Sequence, residues 1–126
     1  KDASARLSEL ALGIGPFVVG PAVERKLGSG PTCAMAFDHE WRDAQWLERH
    51  GLYTSIHDDI ASLDAAVESL AKKLAAASPQ AMAELKAVFL RGTENWAQLL
   101  EERAVISGRL VLSDFTRKYI EQFKNT

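Results

Sequence analysis

Apolar side chains recur at roughly alternate positions within residues 5–12, a pattern that predicts a short strand. Gly13 and Gly15 predict a turn directly after that strand. Pro16 suits the first position of a helix, so we expect a helix from Pro16 to about residue 27. The chain is therefore predicted to begin with a strand, a turn and a helix.

Shorter elements are predicted between the first helix and residue 57. The glycines and proline of residues 28–31 break the first helix, and a short helix follows around residues 33–37. Another helix is predicted over residues 43–50, ending at Gly51. Residues 52–56 have the composition of a second short strand.

Beyond residue 57 the pattern becomes wholly helical. Ser62 is predicted to cap a helix at its N-terminus. The apolar positions of that helix lie three or four residues apart: Leu63, Val67, Leu70 and Leu74. Further helices are predicted after Ser78, after Thr93 and over the final segment.

Two short strands do not make a stable sheet, because their edges leave backbone groups unpaired. The missing strands must come from elsewhere, and a missing N-terminal half of the same fold is the simplest source. The chain begins at Lys1 rather than at Met, so we expect a processed chain or a piece of something longer. The alternative is a helical protein in which two strands are over-predicted.

Composition narrows the function classes. The chain has 126 residues, 47% hydrophobic and 25% charged, with a net charge of -2. Nothing in it resembles the basic stripe that nucleic-acid binding requires. The longest apolar stretch, residues 10–23, is too short to span a bilayer. Together with the single cysteine, Cys33, this favours a cytoplasmic protein without nucleic-acid or membrane partners.

Glu9 is the strongest candidate for chemistry. It lies at the predicted end of the first strand, just before the glycine turn. A carboxylate in apolar surroundings suits a general acid or base, whereas a structural glutamate at a strand edge would point into water. Both interpretations remain open on the residues alone. His39, His50 and His57 lack the i, i+4 spacing of helical metal ligands, so no metal site is predicted.

A family resemblance runs along the chain. Residues 7–16, LSELALGIGP, resemble the crotonase signature of an acidic residue, an apolar pair, Leu-Gly and a proline-containing turn. Residues 17–28 resemble the helix that follows in a bacterial-type branch, and residues 43–53 and 78–81 match later segments in order and spacing. The chain is thus similar to the C-terminal half of the crotonase (enoyl-CoA hydratase/isomerase) family over nearly its whole length.

The resemblance implies an α/β crotonase-like spiral fold, of which this chain would be a mainly α C-terminal fragment with two short strands. Residues 1–57 would end the α/β core, and residues 58–126 would form a helical oligomerisation region. Glu9 would be catalytic, moving a proton at the acyl carbon beside the thioester. The substrate pocket would include Gly13, Pro16 and Phe17.

The final helix is similar to a family pattern that meets coenzyme A. There the ring of Phe115 would flank the adenine, and Lys118 would meet the anionic nucleotide end. The substrate would be an acyl-CoA, with no metal or redox cofactor. The missing N-terminal half would supply the two oxyanion-hole N–H groups, and the chain would assemble into a homo-trimer or hexamer.

These implications predict part of an enoyl-CoA hydratase, which adds water across the 2,3 double bond of an enoyl-CoA thioester. One alternative is a double-bond isomerase of the same family, in which a single glutamate moves one proton. Another is a non-catalytic helical assembly module, in which Glu9 is inert.

Overall fold

The computed structural model describes residues 1–124, which are mainly helical. In chain order the elements are β1 (Ser4–Ala5), a 3₁₀ helix (Glu9–Leu12), α1 (Gly20–Leu27), α2 (Ser29–Asp38), β2 (Arg42–Asp43), α3 (Ala44–Arg49), α4 (Ile60–Ala75), α5 (Pro79–Phe89), α6 (Trp96–Val111) and α7 (Asp114–Lys124). The expected mainly α chain with two short strands is confirmed. The division at residue 57 stays a prediction, and residues 125–126 of the expected tail lie outside the described part.

The two strands differ from the expected ones in length and place. β1 pairs antiparallel with β2, with Ser4 opposite Asp43. The strand predicted over residues 5–12 is wrong beyond Ala5, because residues 9–12 wind into the 3₁₀ helix. The strand predicted over residues 52–56 is also wrong: the Leu52 and Tyr53 amides both turn back to the Leu47 carbonyl of α3.

The first full helix begins later than its sequence predicts. Pro16 does not start it, because the Phe17 amide bonds to the Gly15 carbonyl at 2.7 Å and bends the chain. α1 begins instead at Gly20, with Pro21 in its first turn. A proline there gives up no helical hydrogen bond, since the first amides of a helix have no partner inside it. The segment between Pro16 and α1 is therefore a turn.

A small core holds the first half of the chain together. Leu7, Leu27, Met35 and Leu47 form one buried cluster, and Met35 and Leu47 are almost completely shielded from solvent. These side chains come from the segment after β1 and from α1, α2 and α3. Each buried aliphatic side chain contributes about 1.5–3 kcal/mol relative to an exposed one. This cluster fixes the position of the 3₁₀ helix that starts at Glu9.

The two helices α4 and α5 stand clear of that core. Within residues 1–124 neither packs against another helix or strand. The apolar side chains of α4 are exposed along its length: Ile60, Leu63, Val67, Leu70 and Leu74. The chain exposes 9287 Å², whereas a compact monomer of its 13.8 kDa mass would expose about 6,600 Å². No helix in the described part is long and apolar enough to cross a membrane.

The end of α5 is fastened to α1 by one arginine. Nη2 of Arg25 donates to the carbonyl of Phe89 and, at 3.2 Å, to that of Arg91. The last carbonyls of a helix lack partners inside it, and a cation there also opposes the negative end of the helix dipole. The chain then continues through α6 to α7, which packs against both α6 and the 3₁₀ helix.

Asp59, rather than the predicted Ser62, is the N-cap of α4. The Asp59 carboxylate accepts a 2.7 Å hydrogen bond from the Ser62 amide. In return, the Asp59 amide donates a 3.3 Å hydrogen bond to the Ser62 hydroxyl oxygen. The Ser62 backbone N–H is the main reason that the pKa of Asp59 lies below its ordinary value. Ser62 therefore completes a capping box from the third helical position.

We expect a peptide of residues 57–77 to lose helix on acidification through Asp59. A lowered pKa means that the cap stabilises the helix above the ordinary aspartate pKa, and this contribution fades as the pH falls through the lowered value. Far-UV circular dichroism from pH 7 to about pH 2 measures the loss. Asp59→Asn keeps a capping oxygen without titrating, so its peptide should lose less helix; equal losses would contradict the assignment.

Candidate functional site

Glu9 starts a tight 3₁₀ turn that closes on glycine. Gly13 has a φ of 78°, in the left-handed region that favours glycine. Its amide donates to the Leu10 carbonyl at 3.0 Å, and the Ile14 amide donates to the Glu9 carbonyl at 3.0 Å. The Glu9 carbonyl is thus bonded within the turn, which constrains the point from which the Glu9 side chain extends.

The carboxylate of Glu9 has one oxygen that is buried and unpaired. Within residues 1–124, Oε2 of Glu9 makes no hydrogen bond. A buried polar atom without a partner costs free energy, so each such atom needs an explanation, and a catalytic role is one of them. An unpaired carboxylate oxygen is free to take a proton from, or give one to, a group brought beside it.

An apolar cavity of about 450 Å³ lies next to this turn. The described residues that line it are Leu10, Gly13, Ile14, Gly15, Pro16, Phe17, Ala36, Phe37, Leu110 and Phe115. It therefore brings together all three predicted pocket residues, Gly13, Pro16 and Phe17. Glu9 does not line the cavity and adjoins it through its neighbour Leu10 and through its bond to Ile14.

The ring of Phe17 shapes one wall of the cavity. A methyl group at Gly15 would lie 2.7 Å from the Cε2 and Cζ atoms of that ring, so the ring lies directly against the glycine backbone. The Phe17 carbonyl accepts a 3.4 Å hydrogen bond from Arg103 of α6. Helix α6 thereby contacts the backbone of Phe17, the residue whose ring forms this wall of the cavity.

The two predicted coenzyme A contacts are placed differently. Phe115 of α7 lines the cavity although its side chain is largely exposed. Lys118 lies exposed one helical turn further on and does not line the cavity. The structure thus groups Phe115 with Gly13, Pro16 and Phe17, and leaves Lys118 at the surface of the same helix.

Outside the Glu9 turn and its cavity, the described residues provide weaker candidates for a catalytic or metal site. A second cavity, of about 390 Å³, is lined by residues 1–3, by Ala44 and by eight residues between Tyr53 and Leu63, and contains no predicted site residue. No group of three or more histidine, cysteine, aspartate and glutamate side chains within residues 1–124 could hold a metal ion. The candidate site is therefore the Glu9 turn with its neighbouring cavity.

Solved structures share this architecture. No family model and no curated protein matches the chain. An enoyl-CoA hydratase from Mycobacterium avium matches with a TM-score of 0.86 and 29% identity, over 97% of this chain and 48% of its own. A protein assigned as an enoyl-CoA hydratase from Mycobacterium avium paratuberculosis matches with a TM-score of 0.79 and 28% identity, over 97% and 48%.

A third structure, from Acinetobacter baumannii and assigned as an enoyl-CoA hydratase/isomerase, matches with a TM-score of 0.79 and 19% identity, over 92% of this chain and 49% of its own. The chain is the C-terminal half of a crotonase-family fold. It spans about half the length of the solved structures that it matches. The resemblance inferred from the Glu9 signature is thereby confirmed at the level of the fold.

Several residues of the candidate site could not be predicted from the sequence. Phe37 and Leu110 line the cavity from α2 and α6, and nothing in their local sequence separates them from ordinary apolar positions. Thr116 is almost completely buried in α7 beside the Glu9 turn. A threonine one residue after an exposed phenylalanine breaks the apolar stripe of α7, which is the only sequence signal that could have marked it.

Proposed function

We propose that this chain supplies the glutamate-bearing half of an enoyl-CoA hydratase active site. The observation that carries the proposal is the buried, unpaired Oε2 of Glu9 beside an apolar cavity. The resemblance to the Mycobacterium avium hydratase over 97% of the chain supports it. In this proposal the acyl part of an enoyl-CoA enters the cavity, and Glu9 acts at the carbon next to the thioester.

The proposed reaction needs one proton at that carbon and no electron transfer. Water adds across the 2,3 double bond, so that its hydroxyl bonds to C3 and a proton bonds to C2. Glu9 carries the proton to or from C2 and would be restored when water gives up its own proton. A carboxylate positioned in this way contributes roughly a hundredfold to ten-thousandfold in rate.

The proposal leaves the oxyanion stabilisation to residues outside this chain. Backbone N–H groups that face the thioester oxygen are usually the largest catalytic contribution, and in this proposal the N-terminal half supplies them. The double-bond isomerase remains an alternative, because it would use Glu9 in the same way. Assaying the complete protein with 2-enoyl-CoA and with 3-enoyl-CoA distinguishes the two reactions.

We also propose that the helical tail assembles copies of the protein into a trimer or hexamer. The exposed apolar surface supports this, and it begins with Ile60 at the start of α4, inside the predicted oligomerisation region of residues 58–126. It continues on α5 and α6 through Leu85, Val88, Phe89, Val105 and Leu112. Large exposed apolar surfaces mark protein interfaces.

In the complete protein we expect Glu9→Gln to lower kcat at least about a hundredfold. The substitution keeps the volume of the side chain but removes its proton transfer. Steady-state hydration of a 2-enoyl-CoA measures the effect. The matched control is Glu101→Gln, an exposed glutamate of α6 that should leave turnover unchanged. Equal activity of the Glu9 variant and the control would overturn the catalytic role.

Residues 1–126 produced alone should show no hydratase turnover. The described part contains two strands of two residues each, and the proposal draws its oxyanion donors from elsewhere. The exposed apolar side chains should also promote aggregation. Turnover of a 2-enoyl-CoA by this chain, together with a cooperative thermal melt, would contradict the expectation.

Lys118→Ala should raise the Michaelis constant for CoA substrates and leave kcat nearly unchanged. The proposed contact is a surface ammonium that pairs with the nucleotide phosphates equally in substrate and transition state, which affects binding alone. The control is Lys73→Ala, an exposed lysine of α4 outside the site. If both variants keep the parent Michaelis constant, Lys118 does not contact CoA.

A further inference from the structure

Thr116 is a buried polar residue that connects two distant parts of the chain. Only 1% of its surface is exposed, although it lies in the last described helix. Its hydroxyl donates to the carbonyl of Leu12 at 2.9 Å, across 104 residues of sequence, and also lies 3.0 Å from the carbonyl of Leu110. The Ser113 hydroxyl donates to Thr116 Oγ1 at 3.2 Å. The hydroxyl is therefore satisfied as donor and as acceptor.

The backbone at Gly13 permits this approach. A methyl group at Gly13 would lie 2.5 Å from Cδ1 of Phe115 and 2.7 Å from Oγ1 of Thr116. Both distances are shorter than van der Waals contact allows, and the φ of 78° adds a second reason for glycine. The first turn of α7 thus rests directly on the backbone of the Glu9 turn.

The bonded carbonyl belongs to the short element that carries the candidate catalytic group. Leu12 is the last residue of the 3₁₀ helix that Glu9 begins. A four-residue 3₁₀ helix has few internal hydrogen bonds, so an outside partner has a large effect on where it sits. A bond to Leu12 fixes the C-terminal end of the helix, while the Leu7 core fixes the chain before it.

We infer that Thr116 is a positioning residue, whose hydroxyl holds the Glu9 turn in its working place through the carbonyl of Leu12. This inference rests on the proposed function of Glu9 and adds that α7 must be docked for Glu9 to act. Thr116 does not touch the reacting atoms. Its effect passes from the hydroxyl through Leu12 to the turn, so the last helix of the tail controls the geometry of the acid/base.

A packing role alone would not require a hydroxyl. Valine has nearly the shape of threonine, and a buried hydroxyl without a bond costs free energy. Thr32 offers a contrast inside the same protein, because its hydroxyl is buried and has no partner within residues 1–124. The Thr116 hydroxyl instead has three oxygen atoms within hydrogen-bond distance.

The test compares Thr116→Val and Thr116→Ser in the complete protein. Valine keeps the shape and removes the bond, so kcat for 2-enoyl-CoA hydration should fall about ten- to a hundredfold, the scale of a misplaced catalytic group. Serine restores the hydroxyl and should return kcat to within about threefold of the parent. Because Thr116 does not contact substrate in this proposal, the Michaelis constant should change little in both variants.

Hydrogen exchange provides a readout that general destabilisation would not reproduce. In Thr116→Val, the amides of Gly13 and Ile14, which close the Glu9 turn, should exchange faster than in the parent. The amides of His50 and Leu52, bonded to carbonyls of α3, should keep their rates. The matched control is Thr93→Val, which removes a 2.7 Å bond to the carbonyl of Leu90 outside the site and should leave kcat unchanged.

Gly13→Ala tests the same contact from the other side and covers the case in which Thr116→Val does not fold. It keeps the hydroxyl but pushes α7 away from the turn, so kcat should fall as in the valine variant. Unchanged kcat in either folded variant, or failure of serine to rescue, would overturn the positioning role. If Glu9→Gln leaves kcat unchanged, the proposed function fails. If Glu9→Gln lowers kcat but the Thr116 and Gly13 variants do not, only the positioning role fails.

Discussion

The packing of Met35 and Leu47 against Leu7 and Leu27 is the constraint on which the rest of the structure depends. These four side chains are contributed by three short helices and by the segment after β1, none of which would be stable alone. Their contact sets the direction in which the chain leaves β1. The Glu9 turn, and with it the unpaired carboxylate oxygen, takes its position from that direction.

The second half of the chain follows a different principle. Its helices α4 and α5 form through local signals, a capping box at Asp59 and a serine cap with proline at Pro79, and bury almost nothing. α7 returns to the first half, where it meets the backbone of Gly13. The protein thus combines a small packed centre with helices whose apolar faces require another surface.

Local signals explain what could be predicted from the sequence. The cap at Ser78, the helical spacing of Leu63 to Leu74 and the crotonase signature around Glu9 all depend on neighbours a few residues away. Gly13, Pro16 and Phe17 line one cavity, and their role as a substrate pocket stays a prediction. The strand at residues 52–56 failed because the Leu47 carbonyl captures two amides there, a competition invisible in a strand-like composition.

Long-range contacts account for the features that could not be predicted from the sequence. Nothing near Thr116 indicates that it bonds to Leu12, since that contact depends on where α6 delivers the start of α7. The same holds for Phe37, which faces the cavity from a helix of weak amphipathic character. Residues 1–57 were predicted to form part of a core. That core is small because few apolar side chains of these residues meet in it.

The two bonds from Arg25 to the carbonyls of Phe89 and Arg91 bear on how the exposed helices would meet another molecule. They fasten the far end of the α4–α5 segment to α1, while the near end continues directly from the residues that follow α3. An arm fixed at both ends samples fewer orientations than one fixed at a single end. Association then sacrifices less conformational entropy, so a given apolar area on α4 yields tighter binding.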